Sequence, residues 1–161
     1  MQGKPYIGKW ISCLYRIGQS FFDQYFAAYE IGLGHYSCLL CLFRKEGITQ
    51  EAISKFTNTD KGTTTRSIKK LESLGYVEKH VDPDDRRAYK VYLTDKGRGI
   101  EPEVRQILKK WAESITSGFT PAESEIAYEL LERMALNAIE LKDKAFERKF
   151  LKMPTMNKEG K

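Results

Sequence analysis

No window of this chain approaches the ~18 consecutive apolar residues that a membrane-spanning helix requires. The opening stretch MQGKPYIGKWISC also lacks the long apolar core and small-residue cleavage site of a secretion signal. Cysteine is scarce and odd in number: Cys13, Cys38 and Cys41 cannot form a disulfide framework and suit a reducing compartment. A cytoplasmic protein with no membrane partner is the expectation. Chemistry-bearing clusters are equally thin. No Ser/His/Asp set, phosphate-cradling glycine loop or carboxylate pair in a plausible cleft stands out, so the chain reads as no enzyme and calls for no cofactor. Cys38-Leu39-Leu40-Cys41 is a C-x-x-C with His35 three residues before it. At helical spacing His35 and Cys41 point about 120° apart, which argues against a tetrahedral zinc site. A thioredoxin-like enzyme needs that motif at a strand-to-helix junction of a βαβ unit, and the context is absent. The expectation is free cysteines packed on the buried face of a helix, and no metal.

What is present is length enough for one domain, 161 residues, and an uneven distribution of a formal charge of +5. Residues 61–98 carry ten Lys and Arg against six Asp and Glu, and residues 142–161 carry seven against three, so the rest of the chain is net acidic. Two basic regions on a mildly acidic body suit a polyanion partner, although charge alone also fits a solvated face.

Periodicity organises the chain. Trp10, Leu14, Ile17, Phe21, Tyr25 and Tyr29, with Ile7, Ile11, Phe22 and Phe26, predict a first helix over 7–30 with a wide apolar face. A second is expected from Tyr36 to Lys45, stopped by Gly47 as a left-handed cap. Thr49 caps a third that ends near Phe56, and Ile48 with Ile53 have the spacing of a hydrophobic staple. Asp60 caps a fourth that runs to Leu74 and stops at Gly75. Two short helices joined by a tight polar turn are a helix-turn-helix. On the fourth helix Thr64, Ile68, Leu71 and Leu74 share one side, and Gly62, Arg66, Lys69, Lys70 and Ser73 share the other. YVEKHV and AYKVYL alternate as two strands around a long turn from Asp82 to Arg87. Thr94 caps a fifth helix with the stripe Val104, Leu108, Trp111 and Ile115, and Pro102 predicts a kink around 98–102 or a late start. Thr120, Pro121 and Glu123 form a capping box that opens a sixth helix. Its two-sided apolar pattern, Ile126 through Phe150, exceeds what a small core can cover and asks for a second subunit. KMPTMNKEGK has no periodicity and reads as a mobile tail.

This order, with DKGTTTRSIKKLESLGYVEK followed by DPDDRRAYKVYLTDKG, resembles the MarR family of bacterial and archaeal transcription regulators. The likeness covers nearly the whole chain. It is most specific from Ile48 to Gly97, where Asp85-x-Arg87 and Leu93-Thr94-x-x-Gly97 stand at the family spacing. The resemblance implies a mainly α fold, a winged helix-turn-helix of order α-α-α-α-β-β-α-α with an intertwined helical dimerisation region. It divides the chain into an N-terminal dimerisation helix at 1–34, a DNA-binding lobe at 35–98, C-terminal dimerisation helices at 99–152 and the tail at 153–161. The implied partners are double-stranded DNA and a second copy of the chain. The fourth helix would enter the major groove with Thr63, Thr65, Arg66, Lys69 and Lys70. The wing would bring Arg86 and Arg87, with Arg87 in the minor groove and Asp85 bracing it. Acid beside base then has a purpose, because a carboxylate that holds an arginine extended lowers the entropy lost on binding.

The same resemblance implies release from DNA, most often by a repressor, on binding a small aromatic or phenolic ligand. Trp10, Arg16, Tyr36 and Trp111 are the candidates to line its crevice. Some MarR-like proteins sense oxidants through a cysteine near Cys13, beside which Arg16 would favour thiolate. An oxidant-responsive regulator is therefore the alternative, and a half-buried interface cysteine is the plainer reading of Cys13. A winged-helix module that binds protein is the rival from another class. A DNA-binder separates from it by losing affinity steeply as salt rises.

Overall fold

The structure, a computed structural model, describes residues 6–151 except 84, 86 and 87, with side chains up to Lys142 along the last helix. The expected tail at 153–161 and the outer end of the sixth helix's stripe, Phe146 and Phe150, lie outside the described residues and side chains. Helix α1 (Ile7–Phe26) runs into a short 3-10 turn, Ala27–Tyr29, and is followed by α2 (Leu33–Arg44). Next come β1 (Ile48–Thr49), α3 (Gln50–Thr57), α4 (Lys61–Ser73), β2 (Val77–Val81) and β3 (Tyr89–Leu93). The chain continues through α5 (Asp95–Gly99), α6 (Glu101–Ile115) and α7 (Pro121–Leu151). The fold is mostly helical with a three-stranded antiparallel sheet in the order β1-β3-β2. Among the described residues no single helix is long and apolar enough to cross a membrane.

Local rules set most of these boundaries. The Thr49 hydroxyl accepts from the Ala52 N–H at 3.2 Å and the Asp60 carboxylate from the Thr63 N–H at 2.9 Å, so each helix of the helix-turn-helix begins on a side-chain cap. At α7, Thr120 and Glu123 exchange the reciprocal bonds of a capping box. Pro102 acts where its missing N–H demands: the expected fifth helix breaks at Ile100 into α5 and α6, and proline takes the second position of α6. The expected sixth helix is therefore α7.

Three expectations are corrected. The second helix begins earlier, at Leu33, because His35 Nδ1 accepts the Gly32 N–H at 2.9 Å and so satisfies a donor at its N-terminus. It also ends earlier, at Arg44, so Gly47 is not its cap. Gly47 has φ +67° and leads into β1, donating to the Val91 carbonyl at 2.9 Å under the Tyr92 ring, where a β-carbon would crowd the ring atoms. Strand β1 itself was unread: Ile48 pairs with Val91 and Thr49 with Lys90, and two residues are too few to show alternation.

Residues up to Ile115 form one compact unit and those from Thr116 form another. Within the first, α1 packs against α2 and α6, so the boundaries expected at 34 and 98 do not coincide with its edge. Its core joins Phe22 and Phe26 of α1, Cys38, Leu39, Cys41 and Leu42 of α2, Ile53 of α3, Ile68 and Leu71 of α4, Tyr76, Val77, Val91 and Leu93 of the sheet, and Val104 of α6. Each large side chain among them contributes roughly 1.5–3 kcal/mol on burial. Gly18 lets α6 approach α1, since a β-carbon there would meet the Trp111 ring at 3.2 Å.

The end of α4 is held by α5. Lys96 Nζ donates to the Leu74 carbonyl at 2.7 Å, the Thr94 hydroxyl to the Gly75 carbonyl at 2.6 Å and the Thr94 N–H to the Tyr76 carbonyl at 3.1 Å. Gly97 fits beneath this turn because it has no β-carbon; a methyl there would drive into the Tyr76 carbonyl oxygen. Gly97→Ala should therefore destabilise the protein by about 3 kcal/mol in urea denaturation. Gly99→Ala, with nothing within 4 Å and no positive φ, should gain up to about 1 kcal/mol. Equal effects would refute the packing argument.

A second prediction concerns pH. Hydrogen bonds from the Thr63 hydroxyl and N–H hold the Asp60 carboxyl below its ordinary value. A depressed carboxyl stabilises above its unfolded pKa and loses that contribution as pH falls through the folded pKa. Asp60→Ala should lower the Tm at neutral pH, and the gap to wild type should close as acid protonates Asp60. A gap that persists in acid would show that the charge does not contribute.

Candidate nucleic-acid interface

The α3–α4 turn starts from Asn58, whose φ of +53° ends α3 in the left-handed region, a conformation asparagine tolerates. Ser54 donates to the Thr59 carbonyl at 2.6 Å, and Thr57, Thr59 and Thr64 link their hydroxyls at 2.8 and 2.9 Å. Thr64, Ser67, Ile68 and Leu71 are buried beneath α4, and this fixes which residues face out. Gly62, Arg66, Lys69, Lys70 and Ser73 are exposed, and Thr63 and Thr65 lie half-buried at the edge of the same surface. The sequence division of the helix into two faces holds, with Ser67 added to the inner one.

The outer face is ordered by short polar links. The Thr63 hydroxyl donates to the Asp60 carboxylate at 2.6 Å and accepts from Arg66 Nη2 at 2.9 Å. Arg66 is thus laid along the first two turns of α4. Thr65 donates to the Lys61 carbonyl at 2.8 Å and approaches Gln50 Oε1 at 3.2 Å. Gln50 at the start of α3 was not singled out from the sequence, and its one signal is its place directly after the cap residue Thr49. A β-carbon at Gly62 would sit 3.1 Å from the Asp60 carboxylate, so glycine keeps both the cap and the surface clear. Lys70 also reaches inward electrostatically. Burial first, and the Lys70 ammonium second, hold the His35 imidazole below its ordinary value, which suits the neutral Nδ1 that accepts from Gly32.

The wing is β2 and β3, with Val77 opposite Leu93, Lys79 opposite Val91 and Val81 opposite Tyr89. Arg86 and Arg87, the basic pair expected at its tip, lie outside the described residues, and with them any contact to Asp85. Asp85 is exposed, and its carbonyl accepts from the Ala88 N–H at 2.9 Å. The described acid–base brace stands lower. Asp82, buried at the end of β2, lies 3.0 Å from Lys90 Nζ of β3. Lys79 Nζ reaches Glu72 at 2.7 Å, tying β2 to α4. Glu46 accepts from Arg98 at 2.8 Å and from the Leu93 N–H at 3.2 Å, tying β3 to α5. Partners on different strands and helices are not paired by the period of any one element, so these braces carried no sequence signal.

The expected crevice residues do not assemble as a group. Trp111 lines an apolar cavity of about 200 Å³ with Leu14, Tyr15, Gly18, Gln19, Phe22, Leu33 and Ile115. Trp10 and Arg16 are exposed on α1, and Tyr36 packs on Phe22 and Phe26 with ring centroids 5.0 and 5.3 Å away. These three line neither this cavity nor a second, of about 420 Å³, that reaches α4. Tyr15 and Gln19 of α1 line both cavities. Of the cysteines, Cys13 is partly exposed, whereas Cys38 and Cys41 are buried. Burial pushes the Cys38 thiol up to about 12 and raises Cys41 as well, so both pack as neutral thiols.

Comparison with known proteins agrees with this geometry. The sequence profile of the MarR family matches residues 31–89. The uncharacterized HTH-type transcriptional regulator YybA of Bacillus subtilis (strain 168) is 32% identical over 108 residues, 67% of this chain and 72% of that protein. A MarR transcriptional regulator from Methanosarcina mazei Go1 is 40% identical, with a TM-score of 0.79 over 86% of this chain and 99% of that one. The MarR protein from Peptoclostridium difficile DA00132 is 27% identical, with a TM-score of 0.83 over 89% of this chain and 94% of that one. With a capped helix-turn-helix, a β-wing and relatives that match over most of their length, this chain belongs to the MarR family of winged helix-turn-helix transcriptional regulators, and it is not an enzyme.

Proposed function

We propose that this regulator binds a pseudo-palindromic operator as a homodimer, acts as a repressor, and is released by a small aromatic or phenolic ligand. The observation that carries DNA binding is the outer face of α4, where Arg66, Lys69 and Lys70 stand exposed over a buried base and Arg66 is held by Thr63 and Asp60. An arginine so restrained offers a planar fork for guanine O6 and N7. Lys69 and Lys70 suit phosphates, and Arg87 at the wing suits a narrow minor groove of strong negative potential. DNase footprinting on the DNA that flanks its own gene, at several salt concentrations, tests the reading. A protected palindrome whose affinity falls steeply with salt supports it, and salt-independent binding to a protein partner refutes it.

Dimerisation is supported within each unit by apolar surface in contiguous runs. Tyr6, Ile7, Trp10, Ile11, Leu14 and Ile17 are exposed on and just before α1, and Ile126, Leu130, Leu131, Leu136 and Leu141 are exposed along α7. Stripes of this extent mark interaction surfaces. Two recognition helices would then meet half-sites about 34–36 Å apart, one helical turn of DNA. Truncation after Gly118 should abolish soluble folded protein. A truncated monomer that stays folded in sedimentation and binds the operator as tightly as the full chain would sink the dimer.

The arginines should fail differently. Arg66→Ala should cost roughly 1–3 kcal/mol on the cognate operator and relax preference at one base pair. Arg87→Ala should weaken binding in a way that follows minor-groove width rather than one base identity, and it should shallow the salt slope. Asp85→Ala should act as a milder Arg87→Ala. Tighter binding by Asp85→Ala would make that carboxylate a turn former only.

A further inference from the structure

Three hydroxyls lie on or at the edge of the outer face of α4, and each has its proton engaged inside the protein. A hydroxyl has one proton to give. Thr63 gives its proton to the Asp60 carboxylate at 2.6 Å, and Ser73 gives its own to the Lys70 carbonyl at 2.8 Å. Thr65 has two acceptors in reach, the Lys61 carbonyl at 2.8 Å and Gln50 Oε1 at 3.2 Å, and both belong to the protein.

Gln50 differs. It opens α3 directly after the cap residue Thr49 and stands half-buried beside Thr65. A primary amide carries two N–H groups, and Thr65 can accept at most one of them, in whichever sense the amide is turned. The amide has no second partner among the described residues. Among those residues no buried side-chain nitrogen or oxygen lacks a hydrogen bond, so the outer end of this amide reaches solvent. At least one N–H of Gln50 is therefore uncommitted at the flank of α4, where the hydroxyls of Thr63 and Thr65 have none to offer.

The flank decides what that N–H can meet. A helix with its side chains is about 10–12 Å across and the major groove about 12 Å wide, so a helix laid in the groove turns its outer face to the bases and its flanks to the sugar–phosphate walls. Glu51, the neighbouring acid, has its carboxylate 3.3 Å from Lys55 Nζ, one turn further along α3. We propose that Gln50 is a DNA contact, donating an amide N–H to one phosphate in each half-site, and that Thr65 is a positioning residue that holds this amide rather than a donor to DNA. The proposal rests on the reading of α4 as the recognition helix. Phosphate contacts fix the register of a protein on the duplex without carrying sequence information. Anchored by Thr65 to α4 and by its own backbone to α3, Gln50 sets the register in which Arg66 meets its base.

The test uses the operator found by footprinting, with each phosphate of a half-site replaced in turn by an uncharged methylphosphonate. Full-length wild type and Gln50→Ala are compared on each duplex. Gln50→Ala should weaken the unmodified operator at least about tenfold, as the loss of a hydrogen bond to a charged group does. Its Tm should stay that of wild type, and so should its salt slope, because an uncharged amide displaces no counterion. At one phosphate per half-site the methylphosphonate should cost wild type at least about fivefold more than it costs Gln50→Ala. Thr65→Val should weaken wild type at least about threefold and add nothing in the Gln50→Ala background, and Thr65→Ser should restore binding. Equal methylphosphonate penalties in the two proteins at every phosphate, or a Thr65→Val loss that adds in full to that of Gln50→Ala, would each overturn the proposal. Arg66→Ala on the same operator separates the two readings. If it weakens binding and Gln50→Ala does not, α4 stays in the groove and only the contact by Gln50 falls. If neither variant weakens binding, the recognition-helix reading falls and the proposal with it.

Discussion

The placement of α4 depends on how the turn that follows it is held. The last carbonyls of α4 accept from the N–H groups of Leu74, Gly75 and Tyr76, and the carbonyls of those three residues in turn accept from Lys96 of α5 and its cap Thr94. The same turn seats Gly97 against Tyr76, lays Lys96 over the Tyr76 ring at 4.5 Å and directs the Tyr76 hydroxyl to the Tyr29 carbonyl at 3.2 Å. One junction thus joins the end of α4, the start of the wing, α5 and the 3-10 turn that follows α1.

Around that junction, polar groups do the positioning and apolar groups the holding. The four buried residues of α4 fix its rotation about its own axis, while Asp60, Thr63 and Arg66 set the outer surface that rotation exposes. Wing and helix are coupled by Lys79 with Glu72 and by Glu46 with Arg98. Pairs like these contribute little net stability when solvent reaches them, so their value lies in orientation.

The hydroxyl network has two faces as well. Thr57, Thr59 and Thr64 close the helix-turn-helix turn, and Thr57 and Thr59 also line the cavity beside it. Thr63 stands where that cavity meets the outer face of α4.

Much of the architecture was legible in the chain itself. Capping residues, glycine stops, the proline break near residue 100 and the two faces of α4 depend on neighbours within four positions, where backbone geometry dictates which side chains meet. Strand β1 escaped because two residues carry no period, and Gly47 was misassigned because a glycine that fits a helix cap also fits a tight approach to Tyr92. Gln50, Asp82 and the part that Tyr15 and Gln19 take in lining the cavity beside Trp111 belong to the tertiary structure alone. Each depends on the angle at which one element crosses another. Contacts made by the whole core set that angle, and local spacing does not record it.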